Sequence, residues 1–140
     1  MRYVYPVRLV RDASGRILAK FPDVPEALTD GADREEALAE AQDALRAALS
    51  GYVRARRDIP TPSVPRRGQH PIYLPPLTAA KLALYQTMRK QGITNMELAR
   101  RLGITEAAVR RLVDPDHGSR IEKIETALRM LGRRLVVEAA

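Results

Sequence analysis

The chain has 140 residues, 45% of them apolar, with no cysteine, no tryptophan and a single phenylalanine. This composition allows one domain or two small ones with aliphatic cores, and it excludes disulfide staples and cysteine-ligated metal sites. The net charge of +7 is unevenly spread: residues 1–58 carry 10 basic and 10 acidic side chains, whereas residues 59–140 carry 14 and 7. A one-sided excess of this kind suggests a polyanion partner for the second half, with a solubilising surface as the plainer account.

In chain order, the opening "MRYVYPVRLVRD" reaches Pro6 at once and holds no apolar stretch of signal-peptide type. No apolar run approaches the roughly 20 residues that span a membrane, so a cytoplasmic protein is expected. "YVYPVRLVRD" alternates imperfectly, with Tyr5, Val7 and Leu9 on one face, and predicts a strand. A turn around Gly15 leads to a returning strand at Ile17 to Phe21, and "EALTDG" offers a third, ending at Gly31. Asp33 with Glu36 is a capping signature. Behind it, Leu38, Ala41, Leu45, Ala48, Leu49 and Tyr52 fall on one helical stripe. The order is β-β-β-α, a small sheet with one long helix across a face.

"DIPTPSVPRRGQHP" then places four prolines in fourteen residues and reads as a boundary. The expected division is 1–58, a linker at 59–71, and 72–140. Beyond it, "IYLP" could be a short strand, and "LTAAKLALYQTMRKQG" a helix stopped by Gly92. Thr94 with Glu97 is a capping box opening "NMELARRL", which Gly103 ends; Thr105 caps "EAAVRRLV", which Pro115 stops. Ser119 with Glu122 is a third box, opening a helix with Ile121, Ile124, Leu128 and Leu131 in register and closed by Gly132. "RRLVVEA" finishes as a possible edge strand, giving four helices with a strand at each end.

The pair "NMELARRL" and "EAAVRRLV" has the parts of a helix-turn-helix. Ala99 is the small residue at the crossing, Gly103 the turn residue, and Leu98, Leu102, Ile104, Val109 and Leu112 the apolar lock. Helical geometry then turns Ala107, Arg110 and Arg111 outward, where arginine reads guanine in a major groove. Asn95, Arg100 and Thr105 lie where backbone phosphates are met, and Arg120 and Lys123 at the next helix add two more cations. A plain helical hairpin with a solvated arginine face is the bland alternative; the spacing, caps and charge excess favour DNA binding. Such a module commonly reads two half-sites as a dimer. Strand edges at Ile72 and Leu74 and at Leu135, Val136 and Val137 are the expected contacts of a homodimer or tetramer.

Nothing in the residues calls for catalysis, a cofactor or a metal. His70 and His117 stand in loops without a nucleophile or ligand cluster beside them, and Asp12, Asp23 and Asp30 fit turn roles as well as cation binding. "FPDVPEALTDG" is left open between a tight crossover that caps the core and a rigid surface for another protein.

The succession "YPV", "FPDVPEALTDG", an alanine-rich helix and "DIPTPS" resembles the HicB antitoxins. "IYLPPL" followed by "ELARRLGITEAAVRRL" resembles the subset of that family with a C-terminal helix-turn-helix. The resemblance implies an α+β protein: a partial ribonuclease H-like first domain without nuclease activity, and a Cro/repressor-like second domain. It implies two partners, a HicA-type mRNA-cleaving toxin and operator DNA. Phe21, Pro22, Asp23, Val24 and Pro25 match the family's loop and become candidate toxin contacts, with Glu26 standing where the family often has glycine. The alternative function is a stand-alone transcriptional regulator whose first domain senses a small ligand.

Overall fold

The computed structural model describes residues 1–140, which divide into two compact units. The first unit takes Met1–Tyr52 and Pro60–Leu74, and the second takes Val53–Ile59 and Pro75–Ala140. No helix is long and apolar enough to cross a membrane.

In the first unit β1 (Val4–Arg11), β2 (Ile17–Lys20) and β3 (Leu28–Gly31) run as a meander, followed by α1 (Arg34–Arg54) and β4 (Gln69–Tyr73). The sheet order is β3-β2-β1-β4, antiparallel throughout. The β1–β2 turn is held by Asp12 Oδ1, which accepts the N–H groups of Ser14 and Arg16, both at 2.9 Å, and the Ser14 hydroxyl at 2.7 Å. Alternation along β1 buries Tyr5 and Val7 completely, and β2 adds Ile17 and Ala19 to the same face.

α1 covers that face. Asp33 Oδ1 accepts the Glu36 N–H at 2.8 Å, and Glu36 reaches back to the Ala32 N–H at 2.9 Å, one residue earlier than the usual box. Its buried stripe is Ala37, Ala41, Leu45, Leu49 and Tyr52, so Leu38 and Ala48 of the expected stripe lie at its edges, half-buried. Each leucine sealed here contributes roughly 1.5–3 kcal/mol. The small residues let the helix approach closely: a Cβ on Gly31 would run into the backbone of Glu36 and Ala37.

The proline-rich stretch is not a free linker. β4 pairs with β1 in the register Val4↔Tyr73, Tyr5↔Ile72 and Val7↔His70. Ile72 and Leu74 are buried in the first unit's core, not at an edge of the second domain as expected. The reason is that β1 has a vacant edge which only a strand arriving from far along the chain can fill. Tyr5 donates its hydroxyl to Pro60 O at 2.7 Å, which fixes the start of the return.

The second unit packs α2 (Pro76–Gln91), α3 (Asn95–Leu102), α4 (Glu106–Val113) and α5 (Ile121–Met130) around Leu82, Leu84, Leu98, Val109, Ile124 and Ala127, all fully buried. The four expected helices are present. The tail is not a strand: Leu135, Val136 and Val137 adopt no regular structure, because no neighbouring strand offers them a hydrogen-bonding edge. Ile59 of the short segment before the crossing back is buried, and Tyr85 on α2 donates to Arg57 O at 2.7 Å.

Candidate nucleic-acid interface and partner-binding loop

α3 and α4 are eight residues each, joined through Gly103, Ile104 and Thr105. Thr94 Oγ1 accepts the Glu97 N–H and Thr105 Oγ1 accepts the Ala108 N–H, both at 3.1 Å, so both helices begin where the threonines predict. Gly103 is left-handed at φ 68°, and its turn closes with Ile104 N–H donating to Ala99 O at 3.0 Å. Leu98, Ala99, Val109 and Leu112 are buried between the helices and their neighbours. Leu102 is half-buried, and Ile104 is 40% exposed, so Ile104 does not act in the expected lock.

The outer face of α4 carries Ala107, Arg110 and Arg111, the arginines exposed and the alanine half-buried. Glu106 accepts from Arg110 Nε at 2.9 Å across one turn. On α3, Asn95 is half-buried and Arg100 is exposed beside Glu97, its Nε at 3.1 Å. The hydrogen bonds from Arg100 and Arg101 hold the Glu97 carboxyl below the usual carboxylate range. These surface pairs are worth little to stability, so either arginine can turn to another anion at small cost.

Arg111, Arg120 and Lys123 are exposed and line one open groove of about 970 Å³, with Leu102, Ile104, Ala108 and Leu112 as its apolar wall. The segment into α5 differs from expectation. Ser119 does not cap the helix; Arg120 holds the cap position with no side-chain bond, and Ser119 Oγ instead accepts from Lys81 Nζ at 2.7 Å. Ser119 stands one residue before the cap position, and the Lys81 ammonium holds its hydroxyl there.

In the first unit the "FPDVP" loop splits by burial. Phe21 is 2% exposed and Val24 is fully buried, so both are core residues. The Asp23 carboxylate is engaged by Ser63, as described below, and Asp30 by Arg16 Nε at 2.7 Å. With Asp12 in its turn, the three aspartates serve three separate local roles. Pro22, Pro25 and Glu26 remain exposed, and Glu26 Oε1 accepts the Tyr52 hydroxyl at 2.8 Å. Leu28, at the start of the edge strand β3, is 59% exposed. Sequence reading passed over it, although its place after "PEA" and opposite Lys20 puts it on the outer face of the sheet. Asp33, which caps α1, and Glu35, Glu36 and Glu40 on its first turns stand exposed.

Comparison with known proteins bears on both units. The family described as "HicB_like antitoxin of bacterial toxin-antitoxin system" matches residues 4–83, which take in the whole sheet and the first half of α2. Over 135 residues the chain is 44% identical to Antitoxin HicB 2 of Photorhabdus laumondii, covering 96% of this chain and 95% of that one. It is also 44% identical to Antitoxin HicB of Pseudomonas fluorescens over 134 residues, 94% and 92% of the two chains. To Antitoxin HicB of Escherichia coli K12 it is 36% identical over 131 residues, 94% and 95% of the two chains.

Proposed function

The chain belongs to the HicB-like antitoxin family, and on that premise we propose that its first unit neutralises a HicA-type mRNA-cleaving toxin while its second binds operator DNA and represses its own operon. The β-β-β-α-β order of the first unit supports a partial ribonuclease H-like domain. A toxin that cleaves RNA needs a basic face. The acids Asp33, Glu35, Glu36 and Glu40 supply the opposite charge, which steers encounter more than it sets final affinity. Tight holding needs an apolar anchor. With Phe21 and Val24 in the core, that anchor is the exposed set Pro22, Pro25 and Leu28.

The observation that carries the DNA reading is the placement of Arg110 and Arg111 on the exposed face of a short helix that is capped, crossed and buried as a second recognition helix should be. Arg100, Arg120 and Lys123 then meet phosphates around it. Two copies supply two reading heads. Val136 and Val137, 76% and 71% exposed beyond α5 and without regular structure, offer an apolar stretch that a second copy can order by pairing with it. Ile72 and Leu74 take no direct part, being core residues.

The test has two arms on the full chain. In one, the protein encoded beside it in the genome is assayed for RNA cleavage with and without the chain. In the other, the promoter upstream of its gene is tested by gel shift. Inhibition at equal stoichiometry and a salt-sensitive specific shift are expected. A chain that shifts the promoter but leaves cleavage untouched would return the reading to a stand-alone regulator.

A further inference from the structure

Lys81 sits in the middle of α2 with no exposed surface. Its Nζ donates to the carbonyl oxygens of Arg111 at 2.7 Å and Leu112 at 3.2 Å, and to Ser119 Oγ at 2.7 Å. An ammonium has three protons to give, and each has an acceptor here. Two acceptors belong to the last turn of α4, whose carbonyls have no partner within their own helix. The third opens the segment that leads into α5. A cation at this place also faces the negative end of the α4 dipole.

Core stability does not call for a lysine at this position. A methionine of similar length would fill the space without desolvating a charge. No carboxylate bonds to the ammonium; Asp114, at the end of α4, acts on it through space. The burial is felt: desolvation pushes the Lys81 ammonium down to about 8, with Asp114 opposing.

We propose that Lys81 is a positioning residue for the reading face: it fixes the last turn of α4 and the entry to α5 so that Arg111, Arg120 and Lys123 stand together along one groove. This rests on the DNA-binding role proposed for that groove. It also gives the role a signature. Phosphates brought to the groove favour the charged ammonium, so binding near pH 8 takes up a proton at Lys81, and operator affinity falls as the pH rises through that value. Folding responds in the opposite sense. The folded-state value lies below the ordinary lysine value, so the unfolded chain holds more protons between the two, and the contribution of this group to stability rises with pH there. Of the other charged and titratable groups on the adjoining elements, Arg111 on α4, His117 in the joining loop, and Arg120, Glu122 and Lys123 at α5 lie along the groove; Glu106 pairs with Arg110 on α4 at 2.9 Å, Glu125 with Arg129 on α5 at 3.2 Å, and Asp116 in that loop with Arg54 at 2.8 Å.

The experiment measures fluorescence anisotropy of the full chain on a duplex carrying its own promoter and on an unrelated duplex, from about pH 6.5 to about pH 9.5. Lys81→Met is expected to weaken promoter binding about tenfold or more at neutral pH, to weaken unrelated-duplex binding by less, through Arg120 and Lys123, which meet phosphates on any sequence, and to flatten the alkaline fall in affinity. Ser119→Ala removes one acceptor on a half-buried residue. It is expected to cost about threefold and to move the midpoint of the pH profile down. Should Lys81→Met fail to fold by circular dichroism, Ser119→Ala decides. A folded Lys81→Met with wild-type affinity and slope, or a Ser119→Ala profile that coincides with wild type, overturns the positioning role alone. A wild-type chain that does not distinguish the two duplexes overturns the DNA reading and this inference with it.

Discussion

The Asp23 carboxylate holds Ser63 twice, Oδ2 accepting the Ser63 backbone N–H at 2.8 Å and its hydroxyl at 3.0 Å. One residue of the "FPDVP" loop thereby fastens the "IPTPS" stretch to the first unit, and two motifs far apart in the chain become one clasp. Asp23→Ala is expected to lower stability by about 1.5–3 kcal/mol, the range for hydrogen bonds to a charged group. Ser63→Ala, which keeps the backbone bond, is expected to cost less. Urea unfolding measures both, and coincident midpoints for Asp23→Ala and wild type would show that the clasp contributes nothing.

Residues 1–74 are expected to melt cooperatively on their own, and residues 1–58 are not. The shorter piece removes β4, strips β1 of a hydrogen-bonded neighbour and takes the Pro60 acceptor from Tyr5. Thermal circular dichroism of the two fragments decides; a sharp transition in 1–58 would mean the fourth strand is dispensable.

Val24→Asp is expected to unfold the first unit, since it puts a carboxylate at a position with no exposed surface. The cost is roughly 4 kcal/mol or more, in the range of unpaired buried charges. Leu28→Asp, on an exposed side chain, is expected to leave the fold intact and to weaken toxin inhibition. Circular dichroism read beside an RNA-cleavage assay separates the pair. A folded Leu28→Asp that inhibits as well as wild type would remove β3 from the toxin surface.

Arg110→Ala is expected to weaken promoter binding by about 1–3 kcal/mol and to blur base preference, whereas Arg100→Ala should weaken specific and unrelated DNA alike. Gel shifts across a set of single-base promoter variants give the comparison. Undiminished affinity in Arg110→Ala would mean that another face of α4 is presented.

Legibility in the sequence followed locality. Thr94, Thr105, Gly92 and Gly103 set helix ends through bonds within a few residues, and each acts where the sequence places it. The Ser119 box has the same spacing and does not form; Ser119 is held instead by Lys81, 38 residues away in the chain, which nothing local announces. Of β4 only Ile72 and Tyr73 fall within the expected short strand, and Gln69, His70 and Pro71 within the expected linker, since nothing local announces that their neighbour is β1. Phe21 and Val24 sit among prolines with no periodic pattern to mark them as core, so their apolar character fitted an exposed anchor equally well. Lys81 could have been suspected: it stands between Thr78 and Tyr85 at helical spacing on the side of α2 that is buried.

The return of β4 to β1 has a consequence for timing. On the ribosome, the meander and α1 emerge first, yet the sheet cannot close until residues 69–73 have followed the whole proline-rich stretch into solution. At about 5–20 residues per second, the nascent chain spends seconds with an open β1 edge, competent for mispairing with a neighbour on the same message. The first unit therefore completes its fold only as the second begins to appear, and a message broken before the codons of β4 would yield a fragment that lacks both the strand that completes the first sheet and all of α2 to α5.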